Sequence, residues 1–467
     1  MPSPRESRHP SLRRWSFTAV LALSGPAAAA DPAEDRSVPR PAPVGALAAP
    51  VPGMPEIPPV GPRGTLGPDV YRRRRQAVME KFKTGAALVV NEMKFEGARE
   101  GMDFYYLTGI DEPEAGLLLQ PTAKPPPFYT MAREILFLSP LDSEGERVHG
   151  ARAMLPSNAL EVSTGIATIF RLRALPTALV DACVHRGGLV YLGRFVADPR
   201  PKPRVMELYG KTLERTYGCK VSDLNGTLAR MREVKEPAEL QLMRQAIAYT
   251  GAGHAAALKA IRPGATEFQV KDAVESAFRK AGSRHVAYDS IVGSGTNSTF
   301  LHYPKDDRTM KAGELILIDA AGEAEYYAAD ITRTYPVNGK YTAEQRVLYD
   351  IVLKAQNAGI AAARAGVRVA DVDAAVRKVI EDAGYGDYAI HGCCHFVGLE
   401  VHDAGDYDAP LPAGAVITVE PGIYIPQRGT GVRIEDEILI TAGGSELLSG
   451  AIPRDPGEIE RLMAAGR

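Results

Sequence analysis

A run of four apolar residues ending in an acid, Leu315-Ile316-Leu317-Ile318-Asp319, constrains this chain more tightly than any other segment. Aliphatic runs of this length form buried strands, whereas aspartate is depleted from strands and rarely buried without a partner. A two-residue turn at Ala324-Glu325 would fold the run back and set Asp319 directly opposite Asp330, with Cβ atoms ~5 Å apart. The construction recurs downstream. Thr418-Val419-Glu420 runs to a turn at Gln427-Arg428 and returns through Arg433-Ile434-Glu435, setting Glu420 opposite Glu435. Carboxylates that close cannot both stay ionised in a dry site without a counter-cation, and the first hairpin places no Lys or Arg between its pair. Four such groups around one small space fit two divalent cations ~3.5–4 Å apart.

Between the hairpins, His391-Gly392-Cys393-Cys394-His395 continues to His402-Asp403 and carries three of the nine histidines. A lone histidine in an apolar stretch is more often a hydrogen-bonded core residue, and His185, His254 and His285 are read that way. Three histidines beside a carboxylate cage are read as functional, one of them completing the ligand set. His302, ahead of Tyr303-Pro304, is a further candidate. Four oxygens and one imidazole make a hard site that favours Mn, Fe or Co over the thiolate coordination of structural zinc. Cys393 would share a face of an extended strand with His395 and Cys394 would not, so both cysteines are read as packing residues.

A chain of 467 residues exceeds what one core organises, since cores stop growing near ~250–300 residues, so at least two domains are expected. Residues 1–30 carry Arg5, Arg8, Arg13 and Arg14, an apolar run over 15–23, and Ala28-Ala29-Ala30. That order is a secretory signal peptide cleaved near Ala30, giving a periplasmic or secreted protein. Arg13-Arg14 leaves twin-arginine export open beside the general route. Residues 31–67 are rich in Pro and Ala and read as a disordered linker. An α/β domain over 68–225 starts with a helix capped by Asp69, on which Arg72, Arg73, Arg74 and Arg75 form a solvated face. Its strands are expected at 86–90, 104–107, 116–119, 134–138 and 189–192.

Val234-Lys235-Glu236-Pro237 opens two helices of a second domain over 226–467, and strands follow at about 291–293, 315–320, 327–336, 416–421 and 432–441. A formal net charge of -2 gives no general attraction to nucleic acid or anionic membrane, and no later segment is long and apolar enough to span a bilayer. Whether Cys183 and Cys219 pair is left open by their spacing.

Taken in order, Asp319, Asp330-Ile331-Thr332-Arg333-Thr334, the His391–His395–His402 segment, Glu420-Pro421-Gly422 and Arg433-Ile434-Glu435-Asp436 resemble the pita-bread metallopeptidases, and among them aminopeptidase P. Asp103-Phe104-Tyr105-Tyr106-Leu107-Thr108-Gly109 and Glu112-Pro113-Glu114-Ala115 are similar to that family's smaller domain, so the resemblance spans about residues 68–465. It implies an α+β pita-bread catalytic domain preceded by a smaller α/β N-terminal domain. It implies Asp319, Asp330, His395, Glu420 and Glu435 as ligands of two divalent ions, commonly Mn2+, with Co2+, Fe2+ or Zn2+ as alternatives, and a bridging hydroxide as nucleophile. Glu420 would also shuttle the proton, His302 and His402 would stabilise the oxyanion, and His391 would line a proline pocket. Arg433, on the strand face of Glu435, is expected to orient the ligand carboxylates.

The implied activity removes an N-terminal residue that precedes proline, acting on proline-containing peptides as a homo-oligomer, a dimer or tetramer. Two other readings stand beside it. One is a prolidase that cleaves Xaa-Pro dipeptides with the same cage, and the other an inactive module that only binds peptides, against which the intact ligand set argues. Relatives often carry a Trp-x-Gly-Arg-like stretch where this chain reads Val148-His149-Gly150-Ala151-Arg152.

Overall fold

The computed structural model describes residues 66–91, 101–121, 132–142, 146–147, 152, 154–185, 188–193 and 205–465. The expected signal peptide, all but the last two residues of the 31–67 stretch, and residues 148–151 lie outside the described residues.

The first half is ordered α1 (Pro68–Lys81), β1 (Ala86–Val90), α2 (Asp103–Thr108), β2 (Gly116–Leu119), β3 (Glu134–Leu138), α3 (Asn158–Thr164), β4 (Ile169–Arg171), α4 (Leu175–His185), β5 (Leu189–Leu192), α5 (Val205–Tyr217), β6 (Lys220–Asp223) and α6 (Asn225–Glu233). Its strands form one mixed sheet in the order β4-β3-β2-β1-β5-β6, antiparallel at β1–β2 and β2–β3 and parallel elsewhere. β2 is buried along its whole length and β1 and β3 nearly so, as strands covered on both faces must be. Cys183 of α4 and Cys219 are joined in a disulfide.

Two expectations fail here for one reason. Residues 104–107 form helix α2 rather than a strand, closed by Gly109 in the left-handed conformation. The arginine run of α1 is half buried: Arg72 and Arg73 face solvent, but Arg74 and Arg75 are 3% and 0% exposed. Arg74 Nη1 donates to the Tyr106 carbonyl at 3.1 Å and Arg75 Nη1 to the Leu107 carbonyl at 3.0 Å. The two guanidinium groups satisfy carbonyls that the end of a short helix leaves without partners. Glu236 and Glu134 neutralise them at 2.9 and 3.0 Å. Asp69 does not cap α1; Gly67 precedes a Pro at the first helical position, and Asp69 pairs with Arg72.

The second half runs α7 (Pro237–Ala260), α8 (Glu267–Ala281), β7 (Ile291–Ser294), β8 (Leu315–Asp319), β9 (Glu323–Ala324), β10 (Tyr327–Ala328), β11 (Thr332–Pro336), α9 (Ala343–Ala362), α10 (Val369–Asp382), β12 (Val416–Val419), β13 (Gly422–Ile425), β14 (Thr430–Arg433), β15 (Asp436–Ile440), β16 (Ser445–Leu447) and α11 (Pro456–Ala465). Reciprocal capping boxes start α7 at Glu236 and Glu239 and α8 at Thr266 and Gln269. Sheets β11-β8-β7 and β12-β15-β16 lie under these helices, with β9–β10 and β13–β14 as hairpin tips. Ile316, Ile318, Ile417, Val419 and Ile438 pack in one cluster with Val274 and Phe278 of α8, Leu348 and Val352 of α9, and Val372 and Val376 of α10. Because strand side chains alternate, the opposite face is left for Asp319, Glu435 and Arg433.

Candidate metal centre

The second hairpin has the expected register. Val419 pairs with Asp436 and Gly422 with Arg433, which sets Glu420 against Glu435 at the break between the two ladders. In the first hairpin the register differs. Asp319 pairs with Thr332, not Asp330, and the turn lies at Glu325-Tyr326, one residue beyond Ala324-Glu325. Both turn residues have positive φ, 48° and 67°, the conformation of a two-residue I′ turn without its usual glycine or asparagine. Tyr326 is held there from the first half of the chain, its hydroxyl donating to Asp111 at 2.8 Å and its ring 4.8 Å from that of Tyr105. A slip of two residues leaves side chains on their faces, so Asp330 lies diagonal to Asp319 rather than directly across.

Three of the five expected ligands converge on a fourth, the imidazole of His395. His395 Nε2 lies 3.3 Å from Asp330 Oδ2, 3.4 Å from Glu420 Oε1 and 4.0 Å from Glu435 Oε1. Asp330, His395 and Glu435 each offer a donor atom within 4.8 Å of the others. His395 Nδ1 faces the Phe396 carbonyl at 3.1 Å, so Nδ1 keeps a proton and Nε2 is the nitrogen that would coordinate a cation once its own proton is displaced. Asp319 completes the set at the end of β8, with Oδ1 taking the Tyr288 hydroxyl and Oδ2 the Arg433 Nη2, each at 2.5 Å. The cation missing from the first hairpin therefore arrives from the second. Arg433 also donates Nε to Thr332 Oγ1, and that hydroxyl donates to Glu435 Oε2 at 2.6 Å, so one arginine braces an acid of each hairpin.

Burying this much negative charge raises three of the four carboxyl groups. Burial and the charges of Asp330, Glu420 and Asp319 hold Glu435 well above the carboxylate range. Burial pushes Glu420 up to about 7 against the pull of His395 and Arg433, and raises Asp319 against Arg433. Burial alone would lower His395, but its hydrogen bond to Asp330 and the charges of Asp330 and Glu420 push it up to about 9. Acids raised in this way are short of positive charge, and a cage of hard oxygens with one oriented imidazole fits divalent cations.

The other histidines border the cage. His391 Nε2 meets the Tyr424 hydroxyl at 2.9 Å and Nδ1 the Gly392 carbonyl at 2.8 Å, with Glu420 Oε2 3.9 Å from Nδ1. Burial and the nearby Arg433 push His391 down to about 4, so its ring is neutral. His402 stacks edge-on against His395 with centroids 4.3 Å apart, and burial and His395 lower its pKa, with a smaller push from His302. His302 is exposed beside it. His254 is a core residue as expected, hydrogen-bonded to Tyr335 at 3.0 Å.

Cys393 and Cys394 are both free and do not diverge across a strand. The 391–395 segment bends, bringing their sulfurs to 3.3 Å. Cys393 serves the cage through its backbone, its carbonyl accepting from the Glu420 amide at 2.8 Å. Sequence reasoning missed Tyr288, Thr332, Tyr424 and Glu437, the last accepting the Asp330 amide at 2.6 Å. Thr332 and Glu437 could have been found from the alternation of the ligand strands; nothing local marks Tyr288.

Residues 241–442 match the model of metallopeptidase family M24, and residues 71–191 that of the aminopeptidase P N-terminal domain. The chain is 32% identical over 445 residues to an Xaa-Pro aminopeptidase of Escherichia coli (strain K12), covering 85% of this chain and 98% of that protein. It is 37% identical over 230 residues to an Xaa-Pro dipeptidase of Pyrococcus furiosus, covering 48% and 66%. Among solved structures, E. coli aminopeptidase P with the inhibitor Pro-Leu aligns with a TM-score of 0.75 at 31% identity, over 86% of this chain and 100% of that one. The zinc-substituted E. coli enzyme with product aligns with a TM-score of 0.75 at 30% identity over the same shares.

Proposed function

The chain belongs to metallopeptidase family M24, and from that membership and the cage we propose that it is a metal-dependent aminopeptidase that hydrolyses the Xaa-Pro bond at the N-terminus of peptides. The observation that carries this reading is the convergence of Asp330, Glu420 and Glu435 on His395 Nε2, with Asp319 braced beside them. These five residues would hold two divalent cations, manganese in our reading. When bound, the cations supply an acidified water at neutral pH and polarise the scissile carbonyl.

The chain's own groups do the rest. Glu420 Oε1 faces the cage and leaves Oε2 to take the proton from the attacking water and return it to the departing proline nitrogen, which cannot leave unprotonated. His402 and His302 hydrogen-bond the oxygen that gains charge as the carbonyl becomes tetrahedral. His391, neutral and fixed between Tyr424 and Gly392, forms a wall for the proline ring. Arg433 keeps Asp319 ionised and in place.

A prolidase needs a cation to hold the free carboxylate of a dipeptide, since that charge buried unpaired is costly. The two arginines of the cage strands are already engaged, Arg333 with Asp436 at 2.7 Å and Arg433 with Asp319, and Arg428 at the hairpin tip pairs with Glu344 at 2.6 Å. Arg152, the described end of the departing 148–152 stretch, donates to the Pro140 carbonyl. The aminopeptidase reading is further supported by relatives matched over nearly their full length. With manganese added, kcat/KM for Xaa-Pro-Xaa tripeptides is expected to exceed that for Xaa-Pro dipeptides at least about tenfold, or ~1.4 kcal/mol. Equal or reversed rates would move the assignment to prolidase.

The same reading makes the enzyme an exported homo-oligomer, a dimer or tetramer. Export is supported by the order of residues 1–30 and by the Cys183–Cys219 disulfide, a bond that persists in oxidising compartments. A mature form beginning near Asp31 would have lost Trp15, the single tryptophan, and would fluoresce from tyrosine alone.

A further inference from the structure

We infer that the N-terminal half of the chain positions His402 through a buried ion network, with Asp103, Arg232, Lys235 and Asp403 as its positioning residues. The inference rests on the reading of His402 as a group that stabilises the oxyanion. His402 sits on a loop flanked by two acids, Glu400 and Asp403, and both are tied away from the cage. Asp403 is buried, with Oδ2 taking Lys235 Nζ at 2.8 Å and Oδ1 taking Arg232 Nη2. The other amino group of Arg232 donates to Asp103 Oδ1 at 2.8 Å, in the first turn of α2. Glu400 Oε1 accepts the backbone amides of Gly101 and Met102 at 3.1 and 3.0 Å and lies 3.7 Å from Arg232. Lys235 closes the ring by donating to the Arg232 carbonyl at 2.6 Å.

Two cations and three acids thus link α2, the end of α6, the segment before α7 and the His402 loop. Arg232 and Lys235 hold Asp403 below the usual carboxylate range although burial pushes it up. The packing has no slack, because a Cβ on Gly398 would lie 2.1 Å from Asp403 Oδ2. The loop is also fastened by its backbone, with Asp403 N on the Phe396 carbonyl at 2.8 Å and Ala328 N on the Gly398 carbonyl at 2.8 Å.

Apolar residues of similar volume would fill such a space at no loss of stability, whereas charged forks fix direction as well as distance. Direction is what His402 requires, since hydrogen bonds weaken steeply beyond ~3.2 Å and a 1 Å misplacement costs about 10²-fold in rate. The first half of the chain therefore contributes to turnover without touching the reacting atoms.

The test compares Arg232→Met with wild type, each with and without His402→Ala, all loaded with manganese, reading kcat, KM and metal content on a tripeptide. Arg232→Met is expected to lower kcat by about 10–10²-fold, with KM changed less than about threefold and metal content unchanged. In the His402→Ala background the same change is expected to cost less than about twofold, because the group it positions is gone. Arg232→Lys should restore part of kcat. Should Arg232→Met not fold, Asp103→Asn, at the half-buried edge of the network, carries the same comparison. Wild-type kcat in these variants, or losses that multiply with that of His402→Ala, would overturn the inference while leaving the aminopeptidase reading intact. Wild-type kcat in His402→Ala alone would remove the role of His402 itself, and the inference with it.

Discussion

In the first hairpin Asp319 lies 2.5 Å from a guanidinium and 2.5 Å from a tyrosine hydroxyl, whereas Glu420 and Glu435 of the second meet histidine and a threonine hydroxyl. One acid carries its own counter-cation and the others are left in excess. Asp319 is therefore held against a cation, while Glu420 and Glu435 share one imidazole and are raised by burial and by their neighbours' charge. The fold concentrates unpaired charge at the shared edge of two hairpins, and that is where binding energy for cations resides.

The contrast breaks most completely by removing an acid of the cluster around His395. Asp330→Ala and Glu435→Ala are each expected to lower kcat/KM by at least about 10³-fold and to lose metal, since the cage is then short of a ligand. Steady-state assays with metal analysis check this, and full activity in either purified variant would end the ligand assignment. Glu420→Gln is milder: its amide oxygen can still coordinate but carries no proton, so more metal is retained than in Glu420→Ala while kcat falls by about 10²–10⁴-fold. Turnover near wild type would take Glu420 out of proton transfer.

Stability of the metal-stripped protein sharpens the comparison from the other side. Arg433→Met leaves Asp319 buried without a cation and should destabilise by ~3–5 kcal/mol. Glu435→Gln relieves repulsion and should stabilise by about 1 kcal/mol in the same thermal melts. Opposite signs are required; a shared sign would remove the distinction between paired and unpaired acids.

The pH dependence has a definite direction as well. Glu420 is raised to about 7, so its contribution is fully present below the ordinary glutamate range and lost as pH rises through 7. His395, raised to about 9, contributes fully below about 6.5 and loses that contribution toward pH 9. The metal-stripped protein should therefore melt lower at pH 8 than at pH 5. With cations added the order reverses, because the ligands must shed protons to bind.

Much of this site was legible in the sequence because strand periodicity and acid placement are local. Val416–Val419 and the return through Arg433 were legible as the second hairpin because its turn, expected at Gln427-Arg428, lies at the centre of the connection between Ile425 and Thr430. The first hairpin slipped by two residues because its turn, Glu325-Tyr326, carries no glycine or asparagine and is held by Asp111 and Tyr105, far away in sequence. The faces survived that error because strands repeat every two residues. Helix α2 was misread as a strand since Phe104-Tyr105-Tyr106-Leu107 has strand composition, and Arg74 and Arg75, which satisfy its carbonyls, belong to another element. Arg433 was legible as a cation near Glu435, but its bond to Asp319 joins segments that only the folded chain brings together.

On the proposed function, two hairpins and one histidine form a cage for two divalent ions. Its most direct test is the metal stoichiometry of the purified chain reconstituted with manganese, counted by elemental analysis at increasing occupancy alongside tripeptide hydrolysis. Two ions per chain are expected, with activity rising as the second binds and both lost in Glu435→Ala. Full turnover with no bound metal, or a Glu435→Ala chain that still binds two ions, would rule out the two-ion cage.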